Sequence, residues 1–438
     1  MHLLLPVRST CVAMLALLAF SPATSLADDW PQWRGPNRDG VWSESGIVEK
    51  FAESRIERRW RTPISSGYSG PTVAAGRVYV TDRVTEPQQI ERVHCFDSRN
   101  GRPIWSHEYP CRYVKVGYTA GPRASVTLAG GRAFALGTMG HLHCLDAADG
   151  RVLWKKTPGV DYDVRLPIWG IAAAPLVEGK LVIVQVGARD GGCLIALDVA
   201  TGKEQWRALD DPASYSAGII IPQAGRRVLV CWTGANVVGL DPATGETHWK
   251  YPFEPAKMVI NVPSPVFDGR RLFLSAFYDG SLMLQVDPDE LRVEKMWRRH
   301  GADEQKTDAL HAMISTPYLQ GDHVYGVDSY GQLRCLRADN GDRVWEDLTA
   351  TNNIRWGNIH IVRNGQRIWM FNERGELIIS ELSPKGFHEI SRTKLLDPTT
   401  KQLPRREGVC WSHPAYADKH VFARNDRELV CASLAAEE

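Results

Sequence analysis

Residues 131–154 read Gly-Arg-Ala-Phe-Ala-Leu-Gly-Thr-Met-Gly-His-Leu-His-Cys-Leu-Asp-Ala-Ala-Asp-Gly-Arg-Val-Leu-Trp. An apolar run, a glycine turn, a second apolar run, an Asp-x-x-x-Gly turn and a tryptophan follow one another without a gap. The same ending recurs at Gly101/Trp105, Gly202/Trp206, Gly245/Trp249 and Gly341/Trp345, with four residues from glycine to tryptophan each time. Self-similarity at this period marks an array of identical supersecondary units.

Each unit reads as four short strands with turn signals every 8–12 residues, the pattern of all-β architecture. The first strand carries Ser or Pro with small apolar residues, as in Ser69–Val73, Ala174–Val177 and Ser315–Tyr318. The second is apolar (Val78–Val80, Leu181–Val184, Leu272–Leu274), and the fourth ends in the tryptophan. Asp97, Asp146, Asp198 and Asp241 stand where a carboxylate accepts turn amides two residues on. Their recurrence assigns them to the turn rather than to calcium. The tryptophans are expected to wedge between neighbouring sheets.

Eight first strands are present, near Pro71, Ser125, Pro175, Ile219, Pro265, Pro317, His360 and Pro414. In the fifth unit Asp287 lies two residues further from its tryptophan, Trp297, than usual, and in the seventh Ile390 replaces the tryptophan. The eighth unit stops after its third strand, whereas Ile56–Thr62, with Trp60, is a fourth strand without a unit. Pairing the two ends closes a ring and removes exposed sheet edges. The expected fold is an eight-bladed β-propeller of four-stranded antiparallel blades, over residues 50–438, behind an N-terminal extension at 28–49.

Residues 1–27 read as a secretory signal peptide, with Arg8, an apolar core from Cys11 to Phe20 and a small-x-small site at Ser25-Leu26-Ala27. Cys11 lacks a lipoprotein cleavage context. The expectation is an exported, periplasmic or secreted monomer with no transmembrane segment. Without the leader, 51 basic side chains face 51 acidic ones, a balance that argues against a nucleic-acid partner. Cys95, Cys144, Cys335 and Cys431 occupy one repeat position, point alike, and are read as buried apolar residues. No C-x-x-C-H, H-E-x-x-H or G-x-S-x-G pattern is present, so no metal and no catalytic set is assigned.

These repeats resemble the PQQ-binding-like (quinoprotein-type) β-propeller proteins, most strongly at Gly131–Trp154, Gly179–Trp206 and Arg227–Trp249. The segment Asp29–Gly40 resembles the start of a secreted subgroup found in planctomycete-like bacteria. The resemblance implies a propeller and offers several functions. One branch uses PQQ and calcium to oxidise alcohols or sugars. It often covers the quinone with a vicinal Cys-Cys bridge that this chain lacks. Another is the propeller lipoprotein of the outer-membrane assembly machinery, a scaffold without cofactor. The preferred expectation is a non-catalytic scaffold binding an envelope protein or a glycan, without cofactor. The alternative is a PQQ- and calcium-dependent dehydrogenase.

Loops entering the first strands surround one mouth of a propeller channel. Tyr68, Arg123, Trp169, Asn261, His311, Trp356, Trp411 and His413 sit there and are the candidate binding residues, with aromatic planes to stack on a ligand and Arg123 to hold a carboxylate. Asp163, Arg165 and the loops 303–309 and 355–360 join this rim. His94, His141, His143, His248 and His323 are read as structural. Trp30 and Trp33 are expected to dock on the propeller wall or across a channel mouth, with a partner-binding peptide as the alternative.

Overall fold

A computed structural model describes residues 29–157 and 160–436. The leader lies outside the described residues. Eight four-stranded antiparallel sheets follow one another around a ring. Blade one runs from Thr72–Ala74 to Pro103–Pro110, blade two from Thr127–Ala129 to Val152–Lys156, and blade three from Leu176–Glu178 to Glu204–Ala208. Blade four runs from Ile219–Gln223 to Thr247–Pro252, and blade five from Val266–Phe267 to Val293–Arg299. Blade six runs from Tyr318–Gln320 to Arg343–Asp347, and blade seven from Ile359–Asn364 to Gly386–Lys394. Blade eight takes Ala415–Ala417, His420–Arg424 and Glu428–Ser433 from the C-terminal end and Arg58–Pro63 from the N-terminal end. Trp60 faces Cys431 in that last pairing, which closes the ring. Among the described residues no helix is long and apolar enough to cross a membrane.

The tryptophans explain how blades hold one another. Each indole N–H crosses to the Asp-x-x-x-Gly turn of the next blade: Trp60 to the Ser98 carbonyl at 2.8 Å, Trp105 to Ala147 at 3.1 Å, Trp154 to Val199 at 3.0 Å, and Trp206 to Pro242 at 3.2 Å. The turn glycine has two reasons to lack a side chain. Gly150 has φ +77°, and a Cβ there would stand 2.7 Å from the Trp105 ring. The long turn of blade five breaks this rule and is repaired locally. Trp249 donates instead to Gln223 Oε1 at 2.9 Å, and Gln223 Nε2 reaches the carbonyls of Glu290 and Arg292 in that turn.

The turn aspartates behave as read: Asp97, Asp146 and Asp241 each accept the amide two residues on, at 2.8–2.9 Å. The eight described cysteines are free and buried. Burial pushes the thiols of Cys144 and Cys431 up to about 12, so they stay protonated.

Residues 29–48 cross one mouth of the channel as a strap. Trp30 exchanges two backbone hydrogen bonds with Val73 of blade one, and Pro31 accepts the Leu128 amide of blade two. Trp33 Nε1 donates to Ser264 Oγ of blade five at 2.9 Å. Gly40 and Trp42 pair with Arg363 of blade seven, and Val48 with Leu434 beyond blade eight. Trp30 and Trp42 are fully buried, and Trp42 packs on Trp369 and Tyr416 with ring centroids 5.4 and 5.0 Å away.

Candidate functional site

The strap leaves the channel open at one end only. Above it lies a cavity of about 140 Å³. The loops entering the first strands bring in Tyr68, Tyr118, Trp169, Tyr215, Trp356 and Trp411 as walls, with Val262, Met313 and Ile314 between them. Trp33, His360, His413 and Ser125 form its deep end. The small volume and the apolar lining suit an inserted side chain better than a drug-sized molecule.

Of the residues expected at this mouth, Tyr68, Arg123, Trp169, Trp356, Trp411 and His413 line the cavity. Asn261 and His311 do not. Asn261 is buried and gives its Nδ2 to the Thr233 carbonyl at 2.8 Å. His311 is buried between blades five and six, its Nδ1 on the Phe277 carbonyl at 2.9 Å and its Nε2 receiving the Gly301 amide at 3.0 Å. Position in the loop placed both near the mouth, but their side chains turn toward neighbouring carbonyls.

Arg123 also departs from expectation. Its two terminal nitrogens donate to the carbonyls of Gly117, Tyr118 and Gly121 and to Thr138 Oγ1, at 2.6–3.2 Å. No parallel pair of donors is left for a carboxylate. Arg123 is a clamp that holds the loop bearing Tyr118, and its guanidinium lies over the Tyr68 ring at 4.9 Å.

Two of the wall aromatics sit in left-handed backbone, Tyr118 at φ +56° and Trp356 at φ +67°. Bulky residues rarely adopt this region, at roughly 1–3 kcal/mol each. The Trp356 amide is fixed by the Ser329 carbonyl at 2.7 Å, and its indole N–H is buried without a partner. Trp169 and Tyr215 stack with centroids 5.2 Å apart, while Trp356 and Trp411 meet edge-to-face at 6.3 Å. Tyr118 and Tyr215 were missed in the sequence. The signal was there: each is an aromatic in a loop that enters a first strand.

At the deep end His413 Nε2 meets Ser125 Oγ at 2.6 Å, and its Nδ1 meets the Pro414 carbonyl at 3.1 Å. The carbonyl can only accept, so Nδ1 carries the proton and Ser125 donates. Burial lowers His413 to about 3 and His360 to about 4. Both are neutral at pH 7. A base this weak takes no proton from Ser125 there, so the pair is a hydrogen bond of the wall and not a nucleophile with its base.

PQQ with calcium requires carboxylates beside the ring for the ion. None of the residues lining the cavity is Asp or Glu. Glu373, behind Trp411, is already bound to Arg406 at 2.5 Å. Among the described residues no group of three His, Cys, Asp or Glu side chains could hold a metal. The wall does not fit that pair of cofactors.

The family profile described as outer membrane protein assembly factor BamB matches residues 89–347, more than half of the chain. A quinohemoprotein alcohol dehydrogenase of Pseudomonas putida is 27% identical over 229 residues, which is 46% of this chain and 30% of that protein. One from Comamonas testosteroni is 29% identical over 151 residues, 33% of this chain and 20% of the relative. The chain thus matches less than a third of the length of these curated relatives. Among solved structures, BamB from Moraxella catarrhalis superposes with a TM-score of 0.56 at 16% identity, over 86% of this chain and 99% of that one. The Pseudomonas putida dehydrogenase superposes at 0.60 and 12% identity, over 94% and 81%. At such identities the likeness is one of fold.

Proposed function

The chain belongs to the family of the outer membrane protein assembly factor BamB, and from that premise we propose that it is a non-catalytic binding module of the cell envelope whose aromatic cavity receives an apolar segment of a partner protein. The observation that carries this reading is a blind cavity walled by six aromatic rings and free of carboxylates. Around its mouth the entering loops expose Val114, Ile168, Met258 and Ile354. Clustered exposed apolar side chains mark interaction surfaces, and rigid aromatics are the usual anchors of protein interfaces.

A glycan is the poorer occupant. Sugars need convergent donors and acceptors for their hydroxyls. Here Arg123, Ser125 and His413 are engaged within the wall, and the unpartnered Trp356 N–H is a single donor.

The test is site-specific photo-crosslinking in cells, with the reactive residue at Tyr118 or Ile168 and a control on the outer strand at Ile104. We expect the two mouth positions to capture one and the same envelope protein and the control to miss it. Trp169→Ala should abolish the capture. Equal capture at all three positions, or none at the mouth, would overturn the reading. Titration with PQQ and calcium, followed by tryptophan fluorescence, examines the dehydrogenase alternative: saturable quenching would displace the non-catalytic assignment.

A further inference from the structure

The mouth of the aromatic cavity carries a charge pattern as well as an apolar one. Its exposed apolar residues stand beside cations in the chain: Val114 before Lys115, Met258 after Lys257, and Ile354 before Arg355. The guanidiniums of Arg405 and Arg355 both act through space on the Tyr118 hydroxyl. Lys257 Nζ lies 4.8 Å above the Tyr278 ring, and Tyr278 packs in the same aromatic cluster as Trp356 and Trp411.

The acids of the entering loops are largely held already. Asp163 pairs with Arg189 at 2.7 Å, Asp211 with Lys250 at 3.1 Å, Glu304 with Arg355 at 2.6 Å and Asp308 with Arg299 at 2.9 Å. Asp303 holds the amides of Gln305 and Lys306 at 2.8 and 2.7 Å. The bases of the same loops are not held. Lys115, Arg165, Lys257 and Arg405 are exposed, and among the described residues none of these side chains has an ion pair or a hydrogen bond. Glu254 and Glu407 are the acids left in that state. The charges still open to a partner are therefore mainly positive. They surround an apolar cleft, and a cleft rimmed by one sign of charge focuses its field.

The rings themselves disfavour a basic anchor. Cations prefer aromatic faces, but Arg123 already lies over Tyr68 at 4.9 Å, Arg355 over Trp356 at 4.4 Å and Lys257 over Tyr278. A further cation would meet these as like charge. A cavity of about 140 Å³ with an apolar wall takes an uncharged side chain instead, and the residues flanking that side chain must then lie against the cations of the rim.

On the reading of this cavity as a partner site, we propose that the partner segment is acidic. Its apolar side chain enters between the aromatic rings, and carboxylates on either side of it meet Lys257 and Arg405 at the mouth.

The experiment titrates the full chain with blocked pentapeptides in which one Phe is flanked on each side by two Glu, two Gln or two Lys. A fourth peptide has Ala in place of Phe between the Glu pairs. Binding is followed by tryptophan fluorescence at about 50 mM salt, where surface charges are weakly screened. We expect the Glu peptide to bind about tenfold more tightly than the Gln peptide, from two exposed charge pairs at up to about fivefold each. The Lys peptide should bind more weakly than the Gln peptide, and the Ala peptide should not saturate. In the chain carrying Lys257→Glu and Arg405→Glu the order of the Glu and Lys peptides should invert, a result that misfolding does not produce. Equal affinity for the Glu and Gln peptides, or an unchanged order in the charge-reversed chain, would overturn the acidic partner and leave the cavity reading standing. Failure of every Phe peptide to saturate below about 10 mM, or equal binding of the Ala peptide, would remove the cavity reading and this inference with it.

Discussion

The strap that closes one end of the channel separates two recesses of opposite chemistry. One side of the strap presents Trp33 to a wall of aromatic rings whose histidines are neutral. The other presents Arg34 and Arg38 to a recess of mixed polar and apolar lining that also holds Arg363. The blades around both recesses come from the same repeat. The difference therefore arises from the non-repetitive parts, the strap and the loops entering the first strands. A repeat array supplies the scaffold and leaves specificity to what lies outside the repeat.

Four changes would break or sharpen this contrast. Deleting residues 29–48 should have the largest effect, because both recesses lose their boundary and the contacts of buried Trp30 and Trp42 go with it. At roughly 3–5 kcal/mol for each tryptophan, a loss of about 6 kcal/mol or more is expected in urea unfolding. Arg38→Met comes next. It strands the Gln32, Ala174, Pro175 and Gly218 acceptors, and a cost of about 3–5 kcal/mol is expected by the same measurement. A gain in stability would mean that the buried charge, not its hydrogen bonds, dominates that end.

The third prediction concerns acid. His360 and His413 have folded-state values of about 4 and 3, below the ordinary 6.5. The unfolded chain therefore binds protons that the folded chain refuses. Stability is full above pH 6.5 and falls as the pH drops toward 4, by up to about 1.4 kcal/mol per pH unit for each histidine. His413→Gln should flatten this slope in melting curves taken from pH 7 to pH 4. An unchanged slope would show that the deep end of the cavity is wetter than described. The smallest effect on stability belongs to Trp169→Ala, a partly exposed ring, at about 1 kcal/mol or less. Partner capture should nevertheless be lost, because the stack with Tyr215 is broken.

The blades were legible because their signals are local: a turn glycine, an aspartate two residues before the amides it accepts, a tryptophan at fixed distance. Even the ring closure could be read, since the orphan strand at Trp60 and the incomplete eighth unit are complementary. The repair of the long fifth turn was not legible, because Gln223 and Trp249 are linked only through folding. The cavity was legible by loop position alone, which is why Asn261 and His311 entered the candidate set and Tyr118 and Tyr215 did not. Loop position says where a residue starts, not which carbonyl its side chain will find. Arg123 shows the same limit: a basic residue at a mouth looks like a ligand holder until its own loop satisfies it.

One consequence belongs to the last blade. Arg58 and Glu428 meet across 370 positions of sequence. The early strand has no sheet partner until Glu428–Ser433 has been synthesised. Contacts so distant in sequence form late. A chain cut before Glu428 would keep seven complete blades but leave Arg58–Pro63 without its neighbour, a bare edge open to proteases and to other chains. The ring thus carries a timing in its own topology: closure waits for Glu428–Ser433 to be made.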